Sequence, residues 1–414
     1  MRLSDLKGSV IKPGLETVSE LLRRLGNPQL KFKSVHIAGT NGKGSCAAIL
    51  HETLIRAGYR VGIYTSPHLH RFNERVKMDR VEISDTDLTR LDEAVGEACE
   101  GIEPTYFEYT TAMAFLYFAE KNPDIAIVEV GLGGRLDATN PVDPLITIIT
   151  PLSIDHREFL GNDIKMVAHE KAGIMKPGVK AVISRQPPEA MEIIEKHAQY
   201  VGAPLIIEGR DFDTDTSRYP LFDFKGRFIK LDGLRCGLIG RHQSQNCATA
   251  LASAEVLMEA WFKIPVYALR EGVEHVKWPG RLELFSGSPP ILVDGAHNAG
   301  GAEVLAKALG DDFPDKIVQL IIGMQVTKDL NAVLSILAPR ISGVHAVPLR
   351  EVVYFDPSEV AEAARKLGVE AHAYKNLKDA IKSASEAAGA KGMVLIAGSL
   401  YLAGEATELL GRAG

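Results

Sequence analysis

The sequence predicts an α/β protein: a doubly wound, mostly parallel sheet in the N-terminal part of the chain, followed by a second, smaller α/β unit. Three observations carry this expectation. Short apolar runs rich in β-branched residues alternate with amphipathic segments, the rhythm of βαβ units. The stretch Ser34-Val-His-Ile-Ala-Gly-Thr-Asn-Gly-Lys-Gly-Ser45 reads as a buried strand that runs into a glycine-rich turn and then a helix. Finally, Lys277-Trp-Pro-Gly-Arg-Leu-Glu283 interrupts regular structure, and the alternation restarts after it.

In the first unit, strands are expected over 35–38, 60–65, 124–130, 145–150, 180–184 and 204–208, with helices over 43–57, 109–121 and 189–201. The rhythm breaks across 211–239, where Phe222, Phe224, Phe228, Ile229 and Leu231 are interleaved with polar residues and glycines. That pattern predicts antiparallel hairpins at a sheet edge. A helix follows over 242–260. In the second unit, strands over 291–293, 317–322, 343–348 and 393–397 are separated by helices over 301–309, 330–337, 357–367 and 377–388. The expected domains are 1–280 and 281–414.

Composition narrows the function. The 414 residues are 46% hydrophobic and 24% charged, with a formal net charge of −6 and no basic run, so the electrostatic footprint of a nucleic-acid or membrane-surface binder is missing. Small-molecule partners are favoured. No apolar run approaches the roughly 20 residues that span a bilayer, and the first residues carry no apolar leader, which points to the cytoplasm. Cys46, Cys99, Cys236 and Cys247 form no C-x-x-C pair and read as buried small residues in a reducing compartment.

The chemistry is concentrated after strands. Gly39, Gly42 and Gly44 let the backbone bring N–H groups close to an anion, Lys43 adds charge, and the positive end of the following helix faces the same spot. A nucleoside triphosphate is the expected guest. The spacing departs from G-x-x-x-x-G-K-[ST], because an extra glycine separates Lys43 from Ser45, so the magnesium role of the loop hydroxyl does not transfer automatically to Ser45. Glu129 closes an otherwise apolar strand and precedes Gly-Leu-Gly-Gly-Arg-Leu-Asp-Ala-Thr-Asn140. A carboxylate there needs a cation or a donor, and magnesium fits, with a glutamate capped by local backbone as the other reading. Ser153-Ile-Asp-His156 and Tyr64-Thr-Ser-Pro-His-Leu69 follow two further strands, while Gly240 to Asn246, Trp278 to Arg281 and Val293-Asp-Gly-Ala-His-Asn298 flank the domain junction and lie beyond it.

Taken in order, HIAGTNGKGS, TSPHL, RFNERV, TYFEYTTAMAF, VEVGLGGRLDATN, SIDH, EKAGIMK, WPGRLE, DGAHN and GSLYLAG resemble the dihydrofolate synthase/folylpolyglutamate synthase family of the Mur ligase superfamily over nearly the whole chain. The resemblance implies a Mur ligase-like ATPase domain with pterin-binding loops in the first unit, and a smaller Rossmann-like glutamate-ligase domain in the second. By that resemblance Thr40, Asn41, Gly42, Lys43, Gly44 and Ser45 would hold the ATP phosphates, and Asn246, Arg281 and Asp294 would contact the nucleotide, with His297 nearby. Ser66, Glu129 and His156 would ligate Mg2+, and K+ would be a possible further cation. Lys171 would be carbamylated and face a second magnesium. Lys43, Lys171 and His297 would be the catalytic residues, and Thr105, Tyr106, Phe107, Glu108, Leu136, Asp137 and Ala138 match the pterin-binding positions of bifunctional members.

The residues alone leave alternatives open. Lys171 reads equally as a solvated helix lysine, because carbamylation needs a neutral amine and lysine's ordinary pKa is about 10.4. Phe107 reads as core, and Asp137 as a helix cap. Gly323 to Asp329 carries Thr327 where relatives usually show aspartate. The implied reaction is ATP-driven ligation of L-glutamate to dihydropteroate and to folates through an acyl phosphate, by a cytoplasmic monomer in which the C-terminal domain closes over the nucleotide. A folylpolyglutamate synthase alone, or another Mur-type amide ligase, is the alternative.

Overall fold

The structure, a computed structural model, describes residues 2–6, 12, 14–155, 157–259, 262–350 and 352–411. Two compact units divide the chain: Met1–Gly237 with Ser244–Val276, and Leu238–Gln243 with Lys277–Gly414.

The strands of the first unit are β1 (Ser34–Ala38), β2 (Val61–Tyr64), β3 (Val76–Met78), β4 (Val81–Glu82), β5 (Ile125–Glu129), β6 (Pro144–Ile149), β7 (Lys180–Ile183), β8 (Leu205–Ile207), β9 (Asp213–Asp215), β10 (Leu221–Lys225) and β11 (Lys230–Arg235). Eight of them form one sheet in the order β4-β3-β2-β5-β1-β6-β7-β8. From β2 to β8 every pairing is parallel. β1, β2 and β5 are buried along their whole length, which is why β2 and β5 read as near-continuous apolar runs, while β1 buries the polar side chains of Ser34 and His36. The chain passes from β1 out to β2, returns through β5 and continues on the other side of β1 with β6. The C-terminal ends of β2, β5, β1 and β6 therefore line one stretch of sheet edge, the place where open α/β sheets bind ligands.

One core holds Phe32, Tyr64, Tyr109, Phe115 and Phe118, with Phe32 tilted against Phe115 and edge-on to Phe118. The helix Tyr106–Lys121 contributes most of these aromatics. It begins three residues earlier than periodicity alone placed it. Thr105 caps that end: Glu108 N–H donates to Thr105 Oγ1 at 3.3 Å, and Thr105 N–H donates to Glu108 Oε2 at 2.7 Å, a reciprocal capping box that was legible as T-x-x-E.

Two expectations are corrected. Strands β9 to β11 form their own antiparallel sheet, β11-β10-β9, rather than extending the edge of the large one. Phe222, Phe224, Leu231 and Leu234 are buried, so this small sheet has an apolar face of its own and needs no edge. No strand is expected between residues 65 and 124, yet β3 pairs antiparallel with β2 and β4 with β3. Cys46, Cys99 and Cys247 are buried as expected, while Cys236 is only half-buried, and all four are free. The Ala260 end expected for the 242–260 helix lies outside the described residues; the helix is described as His242–Met258.

The second unit contains β12 (Glu283–Phe285), β13 (Ile291–Val293), β14 (Val318–Ile322), β15 (Gly343–Ala346), β16 (Glu370–Ala373) and β17 (Met393–Ala397). They form one sheet in the order β12-β13-β17-β14-β15-β16, parallel except for the β12–β13 pair. β12 and β16 carry too few apolar residues to stand out in the sequence. Leu292, Leu320, Leu395 and Met393 fill its core with Leu305, Leu309, Val333 and Leu334 from the covering helices. Among the described residues no helix is long and apolar enough to cross a membrane. Leu395 is wholly buried in β17, so Leu395→Ala is expected to destabilise the second unit by about 2–5 kcal/mol, measured as a lowered urea midpoint in a titration followed by circular dichroism.

Candidate active site

The first site is built on the sheet edge of the first unit. After β1 the chain enters the helix Lys43–Arg56 through Gly42, whose φ of 83° lies in the left-handed region, and no side chain caps the helix. Its first-turn N–H groups have no intrahelical acceptor, so the end of the helix is open to an anion. A Cβ on Gly42 would lie 2.4 Å from Asn246 Oδ1. The loop is thus held against the helix that carries Asn246. On its other side it is laced to the loop after β6. The N–H groups of Thr40 and Asn41 both donate to the Pro151 carbonyl at 3.2 Å, Thr40 Oγ1 donates to the Ser153 carbonyl at 3.0 Å, and Asn41 Nδ2 donates to Ser153 Oγ at 3.2 Å. Two of the amides expected to cradle phosphate are therefore engaged by protein, and the helix end carries that capacity.

Glu129, at the end of β5, is buried, and Lys43 Nζ lies 3.8 Å from its Oε1. Ser66 follows β2 on the adjacent strand and is half-buried. Beyond Glu129 the glycine-rich loop turns back onto the helix Ile164–Ala172. A Cβ on Gly134 would come within 2.8 Å of the Glu170 carbonyl and 3.1 Å of the Lys171 backbone, so glycine is what allows this approach. Arg135 fixes it, donating its N–H to the Glu170 carbonyl at 2.7 Å and pairing its guanidinium with the Glu170 carboxylate at 2.8 Å. Asn140 closes the loop by donating to the carbonyls of Arg135 and Gly173.

This packing buries Lys171, whose Nζ lies 3.4 Å from the Gly133 carbonyl. Burial, together with the nearby charge of Lys43, pulls its pKa down to about 7, although Asp137, Asp155 and Glu129 work in the opposite direction. The amine is therefore substantially neutral at physiological pH. The reading of Lys171 as a solvated helix lysine does not survive, because the helix ends at Ala172 and the residue faces inward. Asp155 is a neighbour that the sequence reading quoted within SIDH but did not single out.

Asp137 is also buried. Its Oδ2 accepts from Leu132 N–H at 2.8 Å, and its Oδ1 accepts from Thr139 N–H at 3.0 Å and from Thr139 Oγ1 at 2.5 Å. Burial pushes its pKa up, and those donors work in the opposite direction. Phe107 lies over the start of the same loop, 2.4 Å from the position a Cβ on Gly131 would take, and stacks on Tyr64 at 6.1 Å. The Tyr106 ring faces the Arg75 guanidinium at 5.5 Å. Leu136 is half-buried, and Ala138 belongs to the aromatic core. Thr105 and Glu108 are occupied with each other in the capping box described above.

His156 lies outside the described residues. Among those described, no three His, Cys, Asp or Glu side chains cluster as a metal site. The oxygen donors present still suit magnesium: Glu129 is a buried hard oxygen donor beside the glycine-rich loop, and magnesium takes one or two carboxylates while keeping waters and phosphate oxygens.

The second unit holds its own cluster, at the end of β13. Asp294 accepts from Leu282 N–H at 2.9 Å and Ala296 N–H at 2.7 Å, and burial raises its pKa against the opposing influence of Arg281. His297 Nδ1 lies 2.8 Å from the Gly295 carbonyl. Asn298, the last residue of the motif, accepts from Gly301 N–H and caps the helix Ala299–Asp312.

A parallel sheet with a phosphate loop, joined to a second parallel unit, defines a nucleotide-dependent ligase of the Mur type, and the comparisons agree: residues 37–254 match the Mur ligase middle domain and residues 280–400 the Mur ligase, glutamate ligase domain. The chain is 37% identical to the dihydrofolate synthase/folylpolyglutamate synthase of Bacillus subtilis strain 168, across 94% of this chain and 93% of the relative. Among solved structures, Escherichia coli FolC in complex with DHPP and ADP superposes with a TM-score of 0.92 at 31% identity, covering 99% of this chain and 96% of the other. Mycobacterium tuberculosis folylpolyglutamate synthase complexed with ADP and AMPPCP gives 0.91 at 33% identity, covering 97% and 96%. The chain belongs to the dihydrofolate synthase/folylpolyglutamate synthase family of ATP-dependent Mur ligases.

The capping box sets one expectation. Thr105→Ala should lower stability by about 1 kcal/mol, read from urea unfolding. An unchanged midpoint with a raised KM for the pterin substrate would instead return Thr105 to the substrate contacts.

Proposed function

We propose that this chain ligates L-glutamate to dihydropteroate, forming dihydrofolate, and adds further glutamates to folates, using ATP, as a cytoplasmic monomer. The observation that carries this reading is the convergence of half-buried Lys43 with buried Glu129 and Lys171 beside one glycine-rich loop, in a chain that aligns with folate-ligating relatives over nearly its whole length. The names of those relatives supply the substrate class. The Lacticaseibacillus casei relative, 34% identical and named as a folylpolyglutamate synthase, keeps the single activity open as a second reading.

A carboxylate at neutral pH is a poor electrophile. Attack of a pteroate or folate carboxylate oxygen on the γ-phosphorus releases ADP and leaves an acyl phosphate. The glutamate amine then attacks the acyl carbon, phosphate departs, and the nitrogen loses its proton. Lys43 and the uncapped helix end balance charge on the phosphates, and positioning supplies much of the acceleration. Mg2+, held by Glu129, Ser66 and His156, would further neutralise the β- and γ-phosphate oxygens. Phe107 offers a flat apolar surface to the pterin, beside the loop that carries Leu136 and Asp137. Arg281, Asp294 and His297 are assigned to the nucleotide and the glutamate-joining step.

Lys171 is assigned as a carbamate. Its neutral amine attacks the carbon of dissolved CO2, an N–C bond forms and a proton leaves to solvent. With a pKa of about 7, the neutral fraction at pH 7 exceeds that of an exposed lysine by about three orders of magnitude. The resulting anion would replace a cation that opposes Lys43 by a charge that complements it.

Lys43→Ala should lower kcat/KM by at least about 100-fold with an unchanged unfolding midpoint, and near-normal turnover would remove the phosphate role. Lys171→Ala should lose activity that added short-chain carboxylates partly restore. 13C NMR of the native, active enzyme equilibrated with 13C-bicarbonate that shows no lysine carbamate resonance would exclude the carbamate. Purified protein assayed with dihydropteroate and separately with tetrahydrofolate, each with glutamate and ATP, tests the two activities. Product from tetrahydrofolate alone would select the second reading.

A further inference from the structure

We propose that His36 is a positioning residue for the pterin substrate, acting through the Thr139 hydroxyl on Asp137. The inference rests on the substrate-binding reading of Asp137 given above.

His36 lies in the middle of β1, wholly buried, three residues before the phosphate loop begins. Its Nε2 is 2.8 Å from Thr139 Oγ1, and Thr139 Oγ1 is 2.5 Å from Asp137 Oδ1. The direction of this chain is fixed by what each group can give. Asp137 is surrounded by three donors, the N–H groups of Leu132 and Thr139 and the Thr139 hydroxyl, so its oxygens accept and the Thr139 proton points at it. The Thr139 oxygen can then only accept from His36, which places the imidazole proton on Nε2. The other ring nitrogen, Nδ1, is buried with no hydrogen-bond partner, as suits the bare nitrogen of a neutral ring. Burial, with Lys176 adding to it, drives the imidazole pKa down to about 3, so His36 brings a donor to the site without bringing charge.

The consequence lies in which parts of the site are tied together. β1 is paired on both sides, to β5 and to β6, and leads directly into the phosphate loop. Through its backbone it sets where the phosphates bind, and through one side chain it anchors the loop that presents Leu136 and Asp137. A free threonine hydroxyl rotates among three staggered positions. Held by His36, its proton is aimed at one carboxylate oxygen, and the second oxygen is held by the Leu132 amide. The turn from Leu132 to Thr139 is thereby pinned to the most deeply paired strand of the sheet.

Steady-state kinetics of the full chain separate this role from a general structural one. T139V and H36L should each raise KM for dihydropteroate about tenfold while KM for ATP stays within about twofold. T139S keeps the hydroxyl, and H36Q keeps a neutral N–H donor at a similar reach, so each should recover most of the loss. The T139V/H36L double variant should be no worse than the worse single, because both remove one chain. Equal rises in KM for ATP and dihydropteroate, unchanged KM for dihydropteroate, or additive effects in the double variant would each overturn the proposal. If H36L does not fold, the T139V and T139S pair decides the question from a different element. A parent enzyme that extends tetrahydrofolate only is read in the same way on that substrate. A parent that ligates neither pterin overturns the functional reading, and with it this inference, and is distinguished by the missing parent activity.

Discussion

Lys171 sits in the interior with the half-buried Lys43 among its neighbours, and much of the first unit is arranged around the difficulty of enclosing an amine there. A buried ammonium without a partner is costly. Glu129 stands 3.8 Å from Lys43, and Asp137 and Asp155 act on Lys171 from two different loops. These carboxylates do not outweigh the burial of Lys171, whose pKa falls to about 7. That neutral amine is a nucleophile, so the cost of burial appears as reactivity at one defined position. Lys43, by contrast, stands at the uncapped start of its helix and is only half-buried.

The enclosure depends on a loop folding against a helix, and the fit is made by small residues. Gly134 meets the backbone at Glu170 and Lys171 at distances no side chain would permit. Arg135 and Asn140 then bind the carbonyls of the helix end. GLGGRLDATN and EKAGIMK, some thirty residues apart in the chain, are in space one piece of structure. The loop that carries Asp137 and the helix that carries Lys171 are therefore packed directly against each other.

Strand order extends that packing to the nucleotide side. Because β5 and β6 flank β1, the phosphate loop lies between the Glu129 loop and the loop carrying Ser153 and Asp155. It is tied to the latter through Thr40 and Asn41. The amides of those two residues serve the protein and leave anion binding to the helix end, a division that a loop pattern alone does not show. In the second unit Asp294 is held by two backbone amides beside Arg281, a rigid carboxylate on a rigid strand end.

The sequence by itself determined the strands that are largely apolar, such as β5 and β17, because a strand covered on both faces is written mostly in β-branched and aliphatic residues. It also determined the phosphate loop, the carboxylate ending β5, and the restart of βα alternation after residue 283, since each is a local pattern. The Thr105–Glu108 capping box was equally local and was read instead as substrate contact. Short strands with little apolar content, β3, β4, β12 and β16, left no such trace. Only the tertiary structure decided that 211–239 forms a separate sheet and that Lys171 is buried enough to lose its charge. It alone showed that His36, Thr139 and Asp137, from two segments about a hundred residues apart, share one hydrogen-bonded chain. Burial and hydrogen-bond partnership are properties of what surrounds a residue, and for these positions the surroundings come from distant parts of the chain.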